Sequence, residues 1–461
     1  MRTPFHRILL PVCLMLGACM PGSHSEMPSR AVAMVDSDLP PMRVFAAPQP
    51  QTFVTANSDL VRDVIDLTFA LESGRSLPVL SRFEGPVTVR VTGNPPATLN
   101  SDLNRLLFRL RNEAGIDIRQ TAEAGANITI EAVSRADIRS HLPQAACFVV
   151  PNISRLSEFR LARRSPRTDW ARLTTRERMA IFLPYDASPQ EVRDCLHEEL
   201  AQALGPLNDL YRLPQSVFND DNVHAVLTGY DMMILRAIYA PELRSGMTRN
   251  QVATRLPAVL ARINPAGEGL APRRDVDTPR AWSDAMQTAL GPGATPGARR
   301  AAGESALNIA RVMRLDDHRL GFAHYVMGRL TLPLDPAAAV DHFRQADAIF
   351  AQRPEYALHR ALVSAQLAAY LVAQGNGAEA VDLISLNLPV VIRHENAALV
   401  ATLNMLRAEG LDLSGRGVEA QAVRLDSLGW ARYGFGAEGA IRAKMREVGA
   451  LNPLNRRNGR I

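Results

Sequence analysis

Asp194–Asp221 reads DCLHEELAQALGPLNDLYRLPQSVFNDD, and its spacing decides how the rest of the chain is understood. From Glu198 it runs Glu198-Glu199-x-x-Gln202-x-x-Gly205-x-x-Asn208-Asp209. Ser188 and Pro189, just upstream, supply a side-chain cap and a first-turn proline, so the stretch opens as a helix. Residues four apart share a helix face, which sets Glu198 beside Gln202. Glu198 and Glu199 point about 100° apart and cannot serve each other as general acid and base. His197 is the one imidazole of the run, and its i+4 partner is Ala201. Gly205 is expected to stop the helix, and Asn208-Asp209 to turn the chain after it.

This run resembles the zinc-binding helix of the metzincin proteases, H-E-x-x-H-x-x-G-x-x-H. The resemblance puts Glu199 in the place of the general base and Gly205 in that of the turning glycine. The ligand places hold Glu198, Gln202 and Asn208, so all three imidazoles are missing. A catalytic zinc needs three protein ligands and one open position. Glutamine offers a neutral amide oxygen, a poor match to zinc. An all-oxygen set from Glu198, Gln202 and Asn208 or Asp209 would suit Ca²⁺ or Mg²⁺ better. The expectation is therefore no metal, no cofactor and a catalytically degenerate domain. The alternative is an atypical metal-dependent hydrolase with Glu199 as base. His224 is expected to be solvated or hydrogen-bonded rather than a ligand. Phe218 stands where the metzincin turn has its methionine.

The flanking pattern supports an α+β domain. Leu60 to Leu71 has helical spacing and stops at Gly74. Pro86–Gly93 alternates as a strand, and Ser101–Ala114 carries Leu103, Leu106, Leu107 and Leu110 on one helical face. Strands are expected at 116–119, 127–133, 147–150 and 179–183, then the motif helix, a turn, and a helix over 231–239. Strand, helix, four strands, motif helix, turn and helix is also the order of a metzincin catalytic subdomain. Residues 263–297 are rich in Pro, Gly and Ala around a short helix at 281–290, and read as a linker. From Ala298 the pattern is helical. Ala339, Ala380 and Ala420 recur about 40 residues apart, with Gly375 and Gly415 five before the last two. Ala339, Phe343 and Ala346 match the packing positions of a tetratricopeptide second helix, so a divergent helical-hairpin array is expected.

Arg2 and Arg7 followed by apolar Ile8–Leu16 form a secretory leader, too short to span a bilayer. It ends at Leu16-Gly17-Ala18-Cys19, which resembles a bacterial lipobox, so Cys19 is the expected lipidation site. Met20 in the next position points to the outer membrane by the sorting rule of such lipoproteins. The domains expected are a signal peptide over 1–18, a flexible tether over 19–50, a zincin-like domain over 51–262, a linker over 263–297 and a tetratricopeptide-like domain over 298–461. Cys13 lies in the leader, which leaves Cys147 and Cys195 to form a disulfide in an exported protein. That bridge would tie the motif helix to the sheet, contributing on the order of 3 kcal/mol.

The net charge of +5 comes from arginine, with Lys444 the one lysine. The short basic pairs lack interleaved aromatics, so no nucleic-acid partner is expected. Leu71-Glu-Ser-Gly74, Arg82-Phe-Glu-Gly-Pro86, Glu198-Glu199-x-x-Gln202-Ala-Leu-Gly205, Ser216-Val-Phe-Asn-Asp220 and Leu243-Arg-Ser-Gly-Met247 together resemble the domain-of-unknown-function 2927 family of proteobacterial lipoproteins. The resemblance covers roughly residues 50–250. It implies a lipid-anchored envelope protein facing the periplasm and transfers no catalytic residue. The expected function is binding or scaffolding, with a protein or peptide partner on the helical array.

Overall fold

The computed structural model describes residues 39–46, 53–273 and 276–457. The leader, Cys19 and most of the stretch read as a tether lie outside the described residues. The first domain contains α1 (Asn57–Thr68), β1 (Val87–Gly93), α2 (Leu99–Glu113), β2 (Ile118–Gln120) and β3 (Ile128–Val133). It continues through α3 (Arg135–His141), β4 (Phe148–Pro151), α4 (Leu156–Ala162), β5 (Met179–Pro184), α5 (Pro189–Leu204), α6 (Gly229–Ile238) and α7 (Arg249–Ile263). The short helices α3 and α4 were not legible as such: each is seven residues long with a single turn of apolar spacing.

The strands form one mixed sheet in the order β2-β1-β3-β5-β4. β1, β2, β3 and β5 run parallel, and β4 pairs antiparallel with β5 at the edge. Parallel strands covered on both faces need apolar side chains on both. β5 meets that demand, with every residue from Met179 to Pro184 buried. One core joins Leu103, Leu106, Leu107 and Leu110 of α2 to Leu196, Leu200 and Leu204 of α5 and to Phe218. The domain is thus α+β with a small mixed sheet.

The helical region comprises α8 (Arg280–Leu290), α9 (Pro296–Val312), α10 (His318–Thr331), α11 (Pro336–Phe350), α12 (Ala357–Ala373), α13 (Gly377–Arg393), α14 (Ala397–Leu413), α15 (Gly417–Gly434) and α16 (Glu438–Gly449). Consecutive helices pack as hairpins. Ala339, Ala380 and Ala420 sit in the first turns of α11, α13 and α15, all fully buried, where a larger side chain would hold the hairpins apart. Gly375 and Gly415 follow α12 and α14 with φ of +84° and +75°, the left-handed turn that ends a helix without a Cβ clash. No helix among the described residues is long and apolar enough to cross a membrane.

Two segments differ from the expected linkers. Within 263–297, α8 packs against α9, and its Trp282 is fully buried with its ring 4.8 Å from that of Tyr211. The helical array therefore begins at α8 rather than at Ala298. Apolar spacing around Trp282 was visible, but the Pro and Gly around it dominated the pattern. At the N-terminal side, Leu39–Ala46 is an extended strap and not a free tether. Arg43 N–H donates to Gly429 O at 2.9 Å, Phe45 lies 4.6 Å from the Trp430 ring, and Arg105 Nη2 donates to Ala46 O at 2.9 Å. The strap is thus held by both the sheet domain and α15.

Candidate functional site

The motif helix α5 is built as its sequence directs. Ser188 accepts a hydrogen bond from Glu191 N–H, and Pro189 occupies the first turn. At the other end Arg176, itself buried, donates to Gln202 O at 2.5 Å and Gly205 O at 2.7 Å. One guanidinium so satisfies carbonyls the helix leaves open. Gly205 is a packing requirement: a Cβ there would lie 3.0 Å from Ile238 Cδ1 on α6. Cys195, on the second turn, is bonded to Cys147 just ahead of β4, with Cα atoms 5.9 Å apart. The disulfide fastens the motif helix to the edge of the sheet.

Five carboxyl groups gather along one side of this helix and the loops after it. Glu199 is buried, Glu198, Asp209 and Asp220 are half-buried, and Glu72 reaches in from an exposed turn. No ion pair with any of the five occurs among the described residues. Burial first, then Glu72 and Asp220, pushes Glu198 up to about 7. Burial, followed by Glu198 and Glu72, holds Glu199 well above the carboxylate range. Asp209 is raised for the same reasons, with Glu72 its strongest neighbour. Tyr211 and Gln287 hydrogen-bond Asp220 and partly offset the burial that raises it. Glu199 Oε2 and Asp209 Oδ1 have no hydrogen-bond partner. Each of these acids makes its neighbours harder to ionise.

The remaining motif residues do structural work. Asn208 Nδ2 donates to Asp66 O at 3.0 Å. Gln202 is buried and hydrogen-bonds Glu72. His197 lies on the opposite side, its Nδ1 accepting from Leu227 N–H at 3.1 Å beneath Arg109 and Arg193. Phe218 is fully buried in the core below the helix. Its turn is pinned to α6 by Asp231, which accepts from Ser216 Oγ at 2.5 Å, Val217 N–H at 3.2 Å and Thr228 N–H at 2.8 Å. His224 is buried and bonded through Nε2 to Pro214 O at 2.9 Å. Among the described residues, no three His, Cys, Asp or Glu side chains converge as a metal-ligand set.

Two functional features escaped sequence reasoning. Glu72 and Asp220 complete the acidic group. Both stood in the short runs Leu71–Gly74 and Ser216–Asp220 quoted above, but nothing local ties them to Glu199. The second is a set of four histidines at the junction of the domain with the helical array. His224 has ring centroids 5.1 Å from His394 and 6.1 Å from His359, and His318 lies 5.7 Å from His359. His359 Nε2 bonds Asp221 Oδ2 at 2.8 Å and His318 Nε2 bonds Tyr211 O at 2.6 Å. Their far-apart positions in sequence carry no signal of this meeting.

Neither of two cavities found in the structure is lined by Glu198, Glu199 or Gln202. The smaller touches His197, Arg109 and Arg193, with about 10 Å³ of space. The larger, about 610 Å³, lies between the start of α1, the Arg212–Gln215 loop, Leu270, Ala271, Arg273 and Val276, and the α9–α10 and α11–α12 connections. Residues 57–258 match the family model described as "Protein of unknown function (DUF2927)". No curated protein matches the chain. No solved structure matches it either.

Proposed function

We propose that this chain is a non-hydrolytic binding or scaffolding protein of the bacterial cell envelope, lipid-anchored at Cys19 and facing the periplasm from the outer membrane. In this proposal its DUF2927-matching part is a degenerate zincin-like domain and its helical part a tetratricopeptide-like module. The zincin-like relation is supported by four parallel strands with an antiparallel edge strand, followed by the motif helix and a buried turn around Phe218. The observation that carries the non-hydrolytic reading is the setting of Glu199. It is 5% exposed, its unpartnered oxygen lies among other acids rather than imidazoles, and it lines neither the 610 Å³ cavity nor the one beside His197. A general base must lie within hydrogen-bond reach of its substrate water.

The competing reading, a hydrolase with Glu199 as base, draws on one fact: Glu198 next to it is held at about 7, a useful value for proton transfer. Metal analysis of the purified protein separates the two. Stoichiometric metal that disappears in Gln202→Ala, together with peptide cleavage that disappears in Glu199→Gln, would overturn the binding reading.

The same variant has a stability signature. The Glu199 carboxyl is raised above its unfolded value, so its contribution to stability is full below the ordinary carboxylate range and is lost as pH rises through the folded value. Glu199→Gln keeps the neutral shape at every pH. It is expected to be more stable than the parent at pH 7–8 by about 1–3 kcal/mol, the usual cost of a buried group without a partner, and to gain less at pH 5. Thermal melts at both pH values check this. A variant less stable than the parent at pH 8 would show that the carboxylate itself is needed there.

A further inference from the structure

We infer that the 610 Å³ cavity at the junction is a binding site for a short peptide with free termini. The inference deepens the binding reading above and rests on it. A cavity of this size is in the range that encloses a small ligand. Among the described residues its lining is charge-balanced, with Arg212, Arg273, Arg314 and Arg353 beside Asp59, Asp316, Asp317 and Glu355. Most of these charges are already used. Arg212 and Arg273 are tied to Asp63 of α1, which is fully buried, and Asp317 is tied to Arg319 at 2.6 Å. Arg353 and Glu355 form an exposed pair at 3.4 Å.

Two charges on one loop are left over. Arg314 and Asp316, between α9 and α10, make no ion pair and no side-chain hydrogen bond among the described residues. They line the cavity together with Leu213, Pro214 and Leu270. Arg314 is also one of four non-glycine residues held at positive φ among the described residues, at +51°. That left-handed backbone is disfavoured for a non-glycine residue, so the loop is held in a presentation that its own sequence disfavours. Gln215 adds an amide with no side-chain partner among the described residues. A guanidinium, a carboxylate and a carboxamide around an apolar wall are complementary to a ligand's carboxylate, ammonium and peptide group. Net neutrality argues against a polyanion or a polycation. Because the walls come from both the sheet domain and the helical array, the bound peptide would bridge them.

The test uses the full chain and Ala-Leu-Ala in three forms: free, N-acetylated and C-amidated. Binding is read by calorimetry and by the melting temperature. The free tripeptide is expected to bind saturably, and each cap to weaken binding at least tenfold. Arg314→Ala should abolish the discrimination against the amidated form and Asp316→Asn that against the acetylated form, with folding unchanged because both side chains are exposed. Absence of saturable binding by free Ala-Leu-Ala and a panel of related tripeptides at about 10 mM would overturn the inference, since that is weaker than about −3 kcal/mol of affinity. Equal binding of capped and free peptides would overturn it too. Mass analysis of the peptide afterwards keeps the two proposals apart. Binding with cleavage defeats the non-hydrolytic reading and supports the site; no binding and no cleavage defeats the site and leaves that reading standing.

Discussion

Acidification from pH 7 to pH 4 is expected to destabilise the junction between the sheet domain and the helical array, through His318, His394 and His224. Burial is the leading cause in each case. His318 is brought down to about 4, with Asp317 opposing the shift and His359 and Arg319 adding to it. His394 also falls to about 4, with Arg393 and His359 contributing. His224 is held well below the usual imidazole range, by burial and then by His394 and His359. A histidine whose folded pKa is lowered stabilises the fold above its unfolded value near 6.5, and the contribution drains away as pH falls toward 4. For His318 alone the loss is roughly 3 kcal/mol once complete. His359 and its Asp221 partner sit at the centre of the group, within contact of His224 and His318. The acidic group around Glu199 tilts the opposite way, losing stability as pH rises through about 7 at Glu198. The parent should therefore show a stability maximum between the two limbs. His318→Gln with His394→Gln should flatten the acid limb and leave the alkaline one, while Glu199→Gln does the reverse. Melting temperatures from pH 4.5 to 8 check this; an unaltered acid limb in the histidine double variant would refute the assignment.

Loss of the Cys147–Cys195 bridge is expected to cost about 3–4 kcal/mol, by the chain-entropy estimate for a loop of this length. The sequence separation is 48 residues, and the closed loop holds β4, α4 and β5. β4 is an edge strand of four residues with one neighbour in the sheet, and its other support is the packing of Phe148 and Val150 on Phe159 and Phe182. The Cys147→Ser, Cys195→Ser variant should unfold at lower denaturant, with protease cleavage concentrated around 141–170. The parent treated with reductant should behave in the same way. A bridge-free variant as stable as the parent would mean that packing of α5 on β5 suffices.

The elements of the sheet domain could be seen in the sequence because their signals are local. Leu103, Leu106, Leu107 and Leu110 fix α2 by spacing, Ser188-Pro189 fixes the start of α5, and alternating Val87, Val89 and Val91 fixes β1. The alanine recurrence at 339, 380 and 420 exposed the hairpins for the same reason. The candidate sites were legible only in part. Glu198, Glu199, Gln202 and Asp209 lie within one run, whereas Glu72 and Asp220 join them through folding. The junction histidines come from four separate segments, and Arg176, which closes α5, from a loop before β5. Each of these depends on how whole elements pack, which no short window records.

The strap over Leu39–Ala46 also dictates an order of events. Arg43 N–H bonds Gly429 O, and Phe45 rests on Trp430 and beneath Arg193. Several hundred residues separate Phe45 from Trp430. A polypeptide made from its N-terminus emits Phe45 long before the tryptophan that covers it. Until α15 exists, the strap has half a berth, and the aromatic ring waits in water. Closure over so long a separation is slow. α15 thus acts as the completion signal for the strap, so that a chain truncated before residue 430 would leave Phe45 without its cover.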